Sequence, residues 1–285
     1  MTIDILFHQY IELKKHKWAK HTYVTNLSSY NNHIFPYIGH KDINTLNFID
    51  YQKLANILLE RSLSPKTVKN IMLIVTGIVH FAQKVDLYDG KDYVTFVELP
   101  SFDNKQYFTS SVDVQIRYIK AILNFQEPVY KDIFLFLLHG RRLNEVLDLD
   151  WEFIDLQERV MYLPSARNKS RKNLIFELTS KQLAVLNAVK PSLRNGNVFL
   201  NPATGKKYKD IRKAWQRLLD GANLDKIRIH DIRHLIGTYL INELNIPIEH
   251  VSHLLGHSSI QVTQRYVNLK PANAKNAMDS LFESL

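Results

Sequence analysis

Ser64-Pro65-Lys66-Thr67-Val68-Lys69-Asn70-Ile71-Met72-Leu73-Ile74-Val75-Thr76-Gly77-Ile78-Val79-His80-Phe81 is the stretch on which the fold turns. A serine N-cap followed by proline at the first helical position opens a helix: the serine oxygen takes an orphan amide, and proline lacks only an N–H that would go unpaired there. Behind it, Val68, Ile71, Met72, Ile74, Val75, Ile78, Val79 and Phe81 make the helix apolar over most of its circumference, which predicts the central helix of a small bundle. Working outward, residues 3–17 place Ile5, Tyr10, Ile11 and Leu13 on one side and end in Lys14, Lys15, Lys17 and Lys20, cations that suit a helix C-terminus. A second helix spans about 21–34 and stops before Phe35-Pro36, because the residue ahead of proline leaves the helical region. A third covers about 47–61, and residues 86–110 carry the turn residues of a linker.

Downstream the pattern is mixed. Helices are predicted at 112–124, 127–139, 142–148, 180–188, 208–221, 230–243, 247–255 and 259–265. Between them, Val160-Met161-Tyr162-Leu163 and Leu174-Ile175-Phe176-Glu177-Leu178 are short β-rich runs separated by the basic segment Arg167–Asn173, the signature of a hairpin. The fold class is therefore mainly α: a helical-bundle N-terminal domain, then a mainly helical domain with one small antiparallel sheet. A length of 285 residues suits two domains, each large enough for its own core.

Composition narrows the function. The chain has no cysteine, which excludes disulfide scaffolds, thiolate metal sites and thiol nucleophiles. No signal peptide and no run of about 18 apolar residues is visible, so a soluble, cytoplasmic protein with no membrane partner is expected. The net charge is +9, of which residues 1–100 contribute only +2. An excess of this kind attracts polyanions, nucleic acid first among them. Carboxylates do not cluster as a two-metal nuclease requires; Asp148, Asp150 and Asp155 are the nearest approach and are expected to flank a turn.

The polar residues that concentrate are His, Arg and Tyr. Gly140-Arg141-Arg142-Leu143-Asn144-Glu145-Val146-Leu147 resembles the G-L-R-x-x-E-L segment of tyrosine recombinases, the phage integrase family. His230-Asp231-Ile232-Arg233-His234 is similar to their H-x-L-R-H box. Leu254-Leu255-Gly256-His257-Ser258-Ser259, with Tyr266 nine residues after His257, resembles their closing L-G-H-s-s…Y. Each motif alone is weak; three in the required order are specific. The resemblance covers the whole chain and implies a core-binding domain at 1–100, a linker at 101–107 and a catalytic domain at 108–285.

Chemistry accounts for the residue types independently. When an oxygen nucleophile attacks a phosphodiester, charge builds on the nonbridging oxygens and on the leaving 5′-oxygen. Without a metal or other cofactor, fixed cations and hydrogen-bond donors must meet it. Arg142 and Arg233 suit a bidentate guanidinium clamp that lysine cannot reproduce. The resemblance makes Tyr266 the nucleophile of a 3′-phosphotyrosyl bond, His230 an acceptor of its proton and His257 a donor to a nonbridging oxygen. Glu145 is expected to support Arg142, which the x-x-Glu spacing selects over Arg141. The resemblance also places a lysine general acid on the hairpin: matched by length to the family's K-x-G-K-x-R-x-V-P-L run counted back from Leu178, it is Lys169, with Lys172 the competitor, although Leu174 and Glu177 depart from the family pattern.

Lys66, Lys69, Arg171 and Lys172 are the candidate DNA contacts. The resemblance further implies double-stranded DNA as substrate, a homotetramer on synapsed sites acting through a Holliday junction, and a nucleoid-associated location. The chain starts almost at the core-binding helices, which favours an Xer-like resolvase of chromosome dimers, with a DNA translocase as partner, or a simple mobile-element integrase. A type IB topoisomerase and an inactive DNA-binding protein are the alternatives. Past Lys270-Pro271, an apolar stripe (Ala274, Ala277, Met278, Leu281, Phe282, Leu285) predicts a terminal helix that has to be covered; the resemblance implies docking on a neighbouring protomer, the alternative being its own catalytic domain.

Overall fold

The computed structural model describes residues 1–101, 111–168 and 172–267. The chain falls into two compact units, Met1–Asn104 and Lys105–Leu285. In the first, α1 (Ile3–Lys14), α2 (Lys20–His33), α3 (Phe48–Glu60) and α4 (Pro65–Lys84) form the bundle. The starts of α3 and α4 are chemically marked. Asn47 and Asp50 make a reciprocal capping box ahead of α3, and Ser64 Oγ accepts from the Thr67 amide at 3.2 Å at the head of α4. The helix α4 buries Val68, Ile71, Met72, Ile74, Val75, Ile78, Val79 and Ala82, with Phe81 only partly covered, and Leu73 stands on its exposed side. The face assigned to α1 is corrected: Ile3, Leu6, Phe7 and Ile11 are buried, whereas Ile5 and Leu13 are exposed. The ring of Phe7 stacks on Tyr30 at 3.6 Å, and this pair decides which side of α1 turns inward.

The second unit runs α5 (Val112–Leu123), α6 (Pro128–Leu138), α7 (Leu143–Leu147), β1 (Ile154–Asp155), β2 (Val160–Leu163), β3 (Leu174–Glu177), α8 (Ser180–Asn187), α9 (Arg212–Gly221), α10 (Asp231–Asn242) and α11 (Ile248–Leu255). The helix α6, buried from Ile133 to Leu138, is its core, with Trp215 of α9 edge-on to Phe134. The strands pair antiparallel in the order β1-β2-β3, with Met161 opposite Phe176 on the buried face and Tyr162 opposite Ile175 on the exposed one. At the open end of the hairpin, Asn168 Nδ2 donates to the carbonyls of Pro164 at 2.8 Å and Lys172 at 2.9 Å, and the Ser165 amide donates to Asn173 Oδ1 at 2.8 Å.

Three expectations change. A third strand, β1, pairs with β2; two residues are too short to show a period. The helix expected from 208 starts at Arg212, where Asp210 Oδ1 takes the Arg212 amide at 2.8 Å. Residues 259–265 are not an α-helix but two short 3₁₀ turns, Ile260–Val262 and Gln264–Tyr266. The β-branched run Ile260, Val262 and Thr263 disfavours a helix there, and the Thr263 hydroxyl is engaged elsewhere. Asp150 and Asp155 cap local turns, accepting from the amides of Glu152 and of Gln157 and Glu158. The predicted terminal helix at 272–285 lies outside the described residues.

Candidate active site

The site is assembled where α6 turns into α7. His139 ends α6, and Arg142 is the N-cap of α7. Its amide donates to Glu145 Oε2 at 3.0 Å and its Nη1 to Glu145 Oε1 at 2.7 Å, so one nearly buried carboxylate fixes both the backbone and the guanidinium. Arg141 goes the other way. It is buried, with its guanidinium carbon 3.4 Å from the Phe176 ring centroid, in an apolar slot that includes Val146 and Met161. Burial and the neighbouring arginines pull its pKa down to about 9. The two adjacent arginines therefore serve different environments, and Arg142 is the one paired with Glu145.

Arg233 arrives from the first turn of α10, 3% exposed, and its Nη1 donates to the Gly140 carbonyl. That bond ties α10 to the α6–α7 corner. Burial first, then the charge of Arg142, lowers the Arg233 pKa to about 10, which leaves it protonated at neutral pH. Two cations forced together in a dry pocket favour a bound anion.

His257 is delivered by the end of α11. Gly256 adopts the left-handed conformation (φ +64°), which lets the His257 amide bond back to the Ser252 carbonyl at 3.0 Å. The His257 Nδ1 lies 2.6 Å from Oγ1 of the fully buried Thr263. Tyr266, 3% exposed, packs with Val251 and Leu255 and over Gly237, where an added Cβ would meet its Cδ2 at 2.9 Å. Its carbonyl accepts from Asn242 Nδ2 at 2.7 Å. The His257 ring lies nearly parallel to that of Tyr266, 22° apart with centroids at 6.0 Å.

Burial raises the Tyr266 phenol, and Arg233, Arg265 and Arg142 pull it back. Burial, then Arg233, Arg142 and Arg265, hold His257 down to about 3. His230 is lowered by burial first and then by Arg233.

Arg142, Glu145, Arg233, His257 and Tyr266 thus come together. His230, exposed as the N-cap of α10, reaches Tyr266 only by way of His234, whose ring centroid is 5.3 Å from each. His234 belongs to the quoted box yet was not among the candidates; its spacing of four from His230 on one helix was the available signal. Asn242 and Thr263 were missed because no motif names them. Lys172 is exposed on the hairpin; Lys169 and Arg171 lie outside the described residues. Lys66 and Lys69 are exposed on α4 in the other unit. Among the described residues no group of three His, Asp or Glu could hold a metal, and no helix is long and apolar enough to cross a membrane.

Residues 115–273 match the model of the phage integrase family, and residues 2–59 match the N-terminal SAM-like domain of phage integrases. Tyrosine recombinase XerC of Lactobacillus delbrueckii subsp. bulgaricus is 29% identical over 251 residues, covering 81% of this chain and 79% of that protein. The integrase of Salmonella phage P22 is 26% identical over 171 residues, and the shufflon-specific DNA recombinase of Escherichia coli 24% over 152. These alignments take in 55% and 53% of this chain but only 44% and 38% of those relatives. Two solved structures share the fold. A lambda integrase (75-356) dimer bound to a COC′ core site has a TM-score of 0.74 at 13% identity, covering 95% of this chain and all of that one. The Tn1549 transposon integrase in complex with transposon right end DNA has a TM-score of 0.72 at 18% identity, covering 99% of each. The catalytic family model alone takes in more than half of the 285 residues, and by that match the chain belongs to the phage integrase family of tyrosine recombinases.

Proposed function

We propose that this protein is a site-specific DNA recombinase that cuts and rejoins double-stranded DNA through a 3′-phosphotyrosyl bond at Tyr266, without a metal. The observation that carries this reading is the buried phenol set among Arg142, Arg233 and His257, a cationic pocket of the kind an in-line phosphoryl displacement needs. In this scheme the Tyr266 oxygen forms a bond to phosphorus while the bond to the 5′-oxygen breaks. The two guanidiniums meet the nonbridging oxygens, and His257 donates through the ring nitrogen not held by Thr263. A hairpin lysine, Lys169 ahead of Lys172, protonates the leaving oxygen. The linkage keeps the energy of the cut bond, so rejoining consumes no nucleotide.

In the same reading residues 1–100 clasp DNA, with Lys66 and Lys69 on phosphates and Arg171 and Lys172 touching it from the hairpin. Four copies act on a Holliday junction, as suits a family with a solved lambda integrase tetramer bound to one. An Xer-like role, ahead of mobile-element integration, is in keeping with the alignment to tyrosine recombinase XerC over 79% of its length. A nicked suicide duplex in chelator tests the chemistry. The wild-type protein traps a covalent protein–DNA adduct and Tyr266→Phe traps none; an adduct persisting in Tyr266→Phe refutes the nucleophile assignment.

A further inference from the structure

The proposed chemistry gives no role to His234, a buried histidine at the heart of the site. It is 8% exposed, and its Nδ1 is enclosed without a hydrogen-bond partner. His139, at the end of α6, shows how such a ring is ordinarily satisfied: Nδ1 bonds to the Leu135 carbonyl at 2.7 Å and Nε2 to Thr179 Oγ1 at 2.9 Å. A buried nitrogen left unpaired is disfavoured, so its persistence calls for a partner supplied in use. The His234 ring stands 5.3 Å and 66° from that of Tyr266, and 5.3 Å and 85° from that of His230. It is thus edge-to-face with both and bridges a buried phenol to a histidine at the surface. His257 is worse placed to take the phenolic proton, since its ring is nearly parallel to Tyr266 and its Nδ1 is held by Thr263.

We propose that His234 is the first acceptor of the Tyr266 proton and passes it to His230, which releases it to solvent. The inference rests on Tyr266 being the nucleophile. As the Tyr266 oxygen bonds to phosphorus, its O–H electrons become that new bond and the proton moves to His234. The bond to the 5′-oxygen breaks with its electron pair, and that oxygen takes a separate proton from the hairpin acid. One imidazole nitrogen receives while the other gives, so His234 ends neutral as its other tautomer; the reverse relay, when Tyr266 leaves phosphorus on rejoining and takes its proton back, restores the first.

The charges around the ring suit this role. It faces His230, Asp231 and Arg228 around the head of α10, Arg265 and Tyr266 on the last turn, and His257 beyond α11. Asp231 is the one carboxylate among them, and Arg228 holds it by a 2.7 Å contact. Burial first, and the positive neighbours after it, keep His234 neutral with its lone pair free. A phosphodiester seated by Arg142 and Arg233 adds negative charge beside the ring and raises its basicity when a proton has to be taken.

The test compares full-length wild type, His234→Gln and His234→Asn on the nicked suicide duplex at saturating DNA, across pH 5–9. Both variants are expected to form adduct about 100-fold more slowly with unchanged DNA affinity and thermal unfolding, and to lose the acidic limb of the pH profile. Fluorotyrosine at position 266, a more acidic phenol, should then recover most of the lost rate. Rates within threefold of wild type overturn the proposal, as does a loss that fluorotyrosine leaves untouched, which marks a packing role. An adduct in Tyr266→Phe is a separate result and strikes the nucleophile assignment itself.

Discussion

Two histidines of the site, His257 and His234, are kept neutral far below the usual value, at about 3 and about 4, by burial first and neighbouring positive charge second. His230 and His139 are lowered in the same sense. In the unfolded chain each takes up a proton as pH falls through about 6.5, whereas the folded protein resists until much lower pH. The unfolded state then binds more protons, so their stabilisation is complete above about pH 6.5 and is lost as pH falls from there toward 4. Thermal melts at pH 7.5 and pH 5 are expected to show the fall, and His257→Gln to show a shallower one. At this scale the sequence was most legible where spacing implies contact: Glu145 three residues after Arg142 is bonded to it at 2.7 Å. It was least legible where burial decides, since nothing in the string names the phenylalanine, 35 positions on, over which Arg141 stacks.

Elements with strong local signals formed as read. The helix α4 starts at its Ser-Pro signal and buries nearly every residue named for it, because an N-cap and a broad apolar surface agree. The helix α1 was turned the wrong way, because apolar residues lie on both of its sides and only packing against Tyr30 chooses between them. The segment after α11 forms two 3₁₀ turns in place of the expected helix, because its β-branched residues resist a helix and the Thr263 hydroxyl is held by His257. Gly256 is the element-scale test. Its φ of +64° suits glycine, and an added Cβ would sit 3.0 Å from Leu174 Cδ1 and 3.1 Å from Phe176 Cζ. Gly256→Ala is therefore expected to cost about 1–2 kcal/mol, from the left-handed conformation alone, as a shift in urea midpoint. It should also slow adduct formation, because His257 hangs on that turn.

Across the whole molecule, the chain divides into two compact units, Met1–Asn104 and Lys105–Leu285. How copies associate depends on the proposed tail, whose stripe ends in Leu281, Phe282 and Leu285. Left in water, each of these would forfeit about 1.5–3 kcal/mol, so the stripe should be covered. Deleting residues 272–285 is expected to leave half-site binding intact and abolish tetramers on synapsed DNA, as read by sedimentation of the complexes. Tetramers that survive the deletion count against docking between protomers, and a truncated chain that unfolds indicates a tail packed on its own unit.

The hairpin carries a consequence for how such a protein can change over generations. Asn168 bonds the carbonyls of both legs, Pro164 on one side and Lys172 on the other, and Asn173 holds the Ser165 amide. The sheet is thus closed by side chains at the neck of the loop. Inheritance is therefore expected to be strict at positions 168 and 173, where loss of either amide side chain strips partners from the Pro164 and Lys172 carbonyls or from the Ser165 amide.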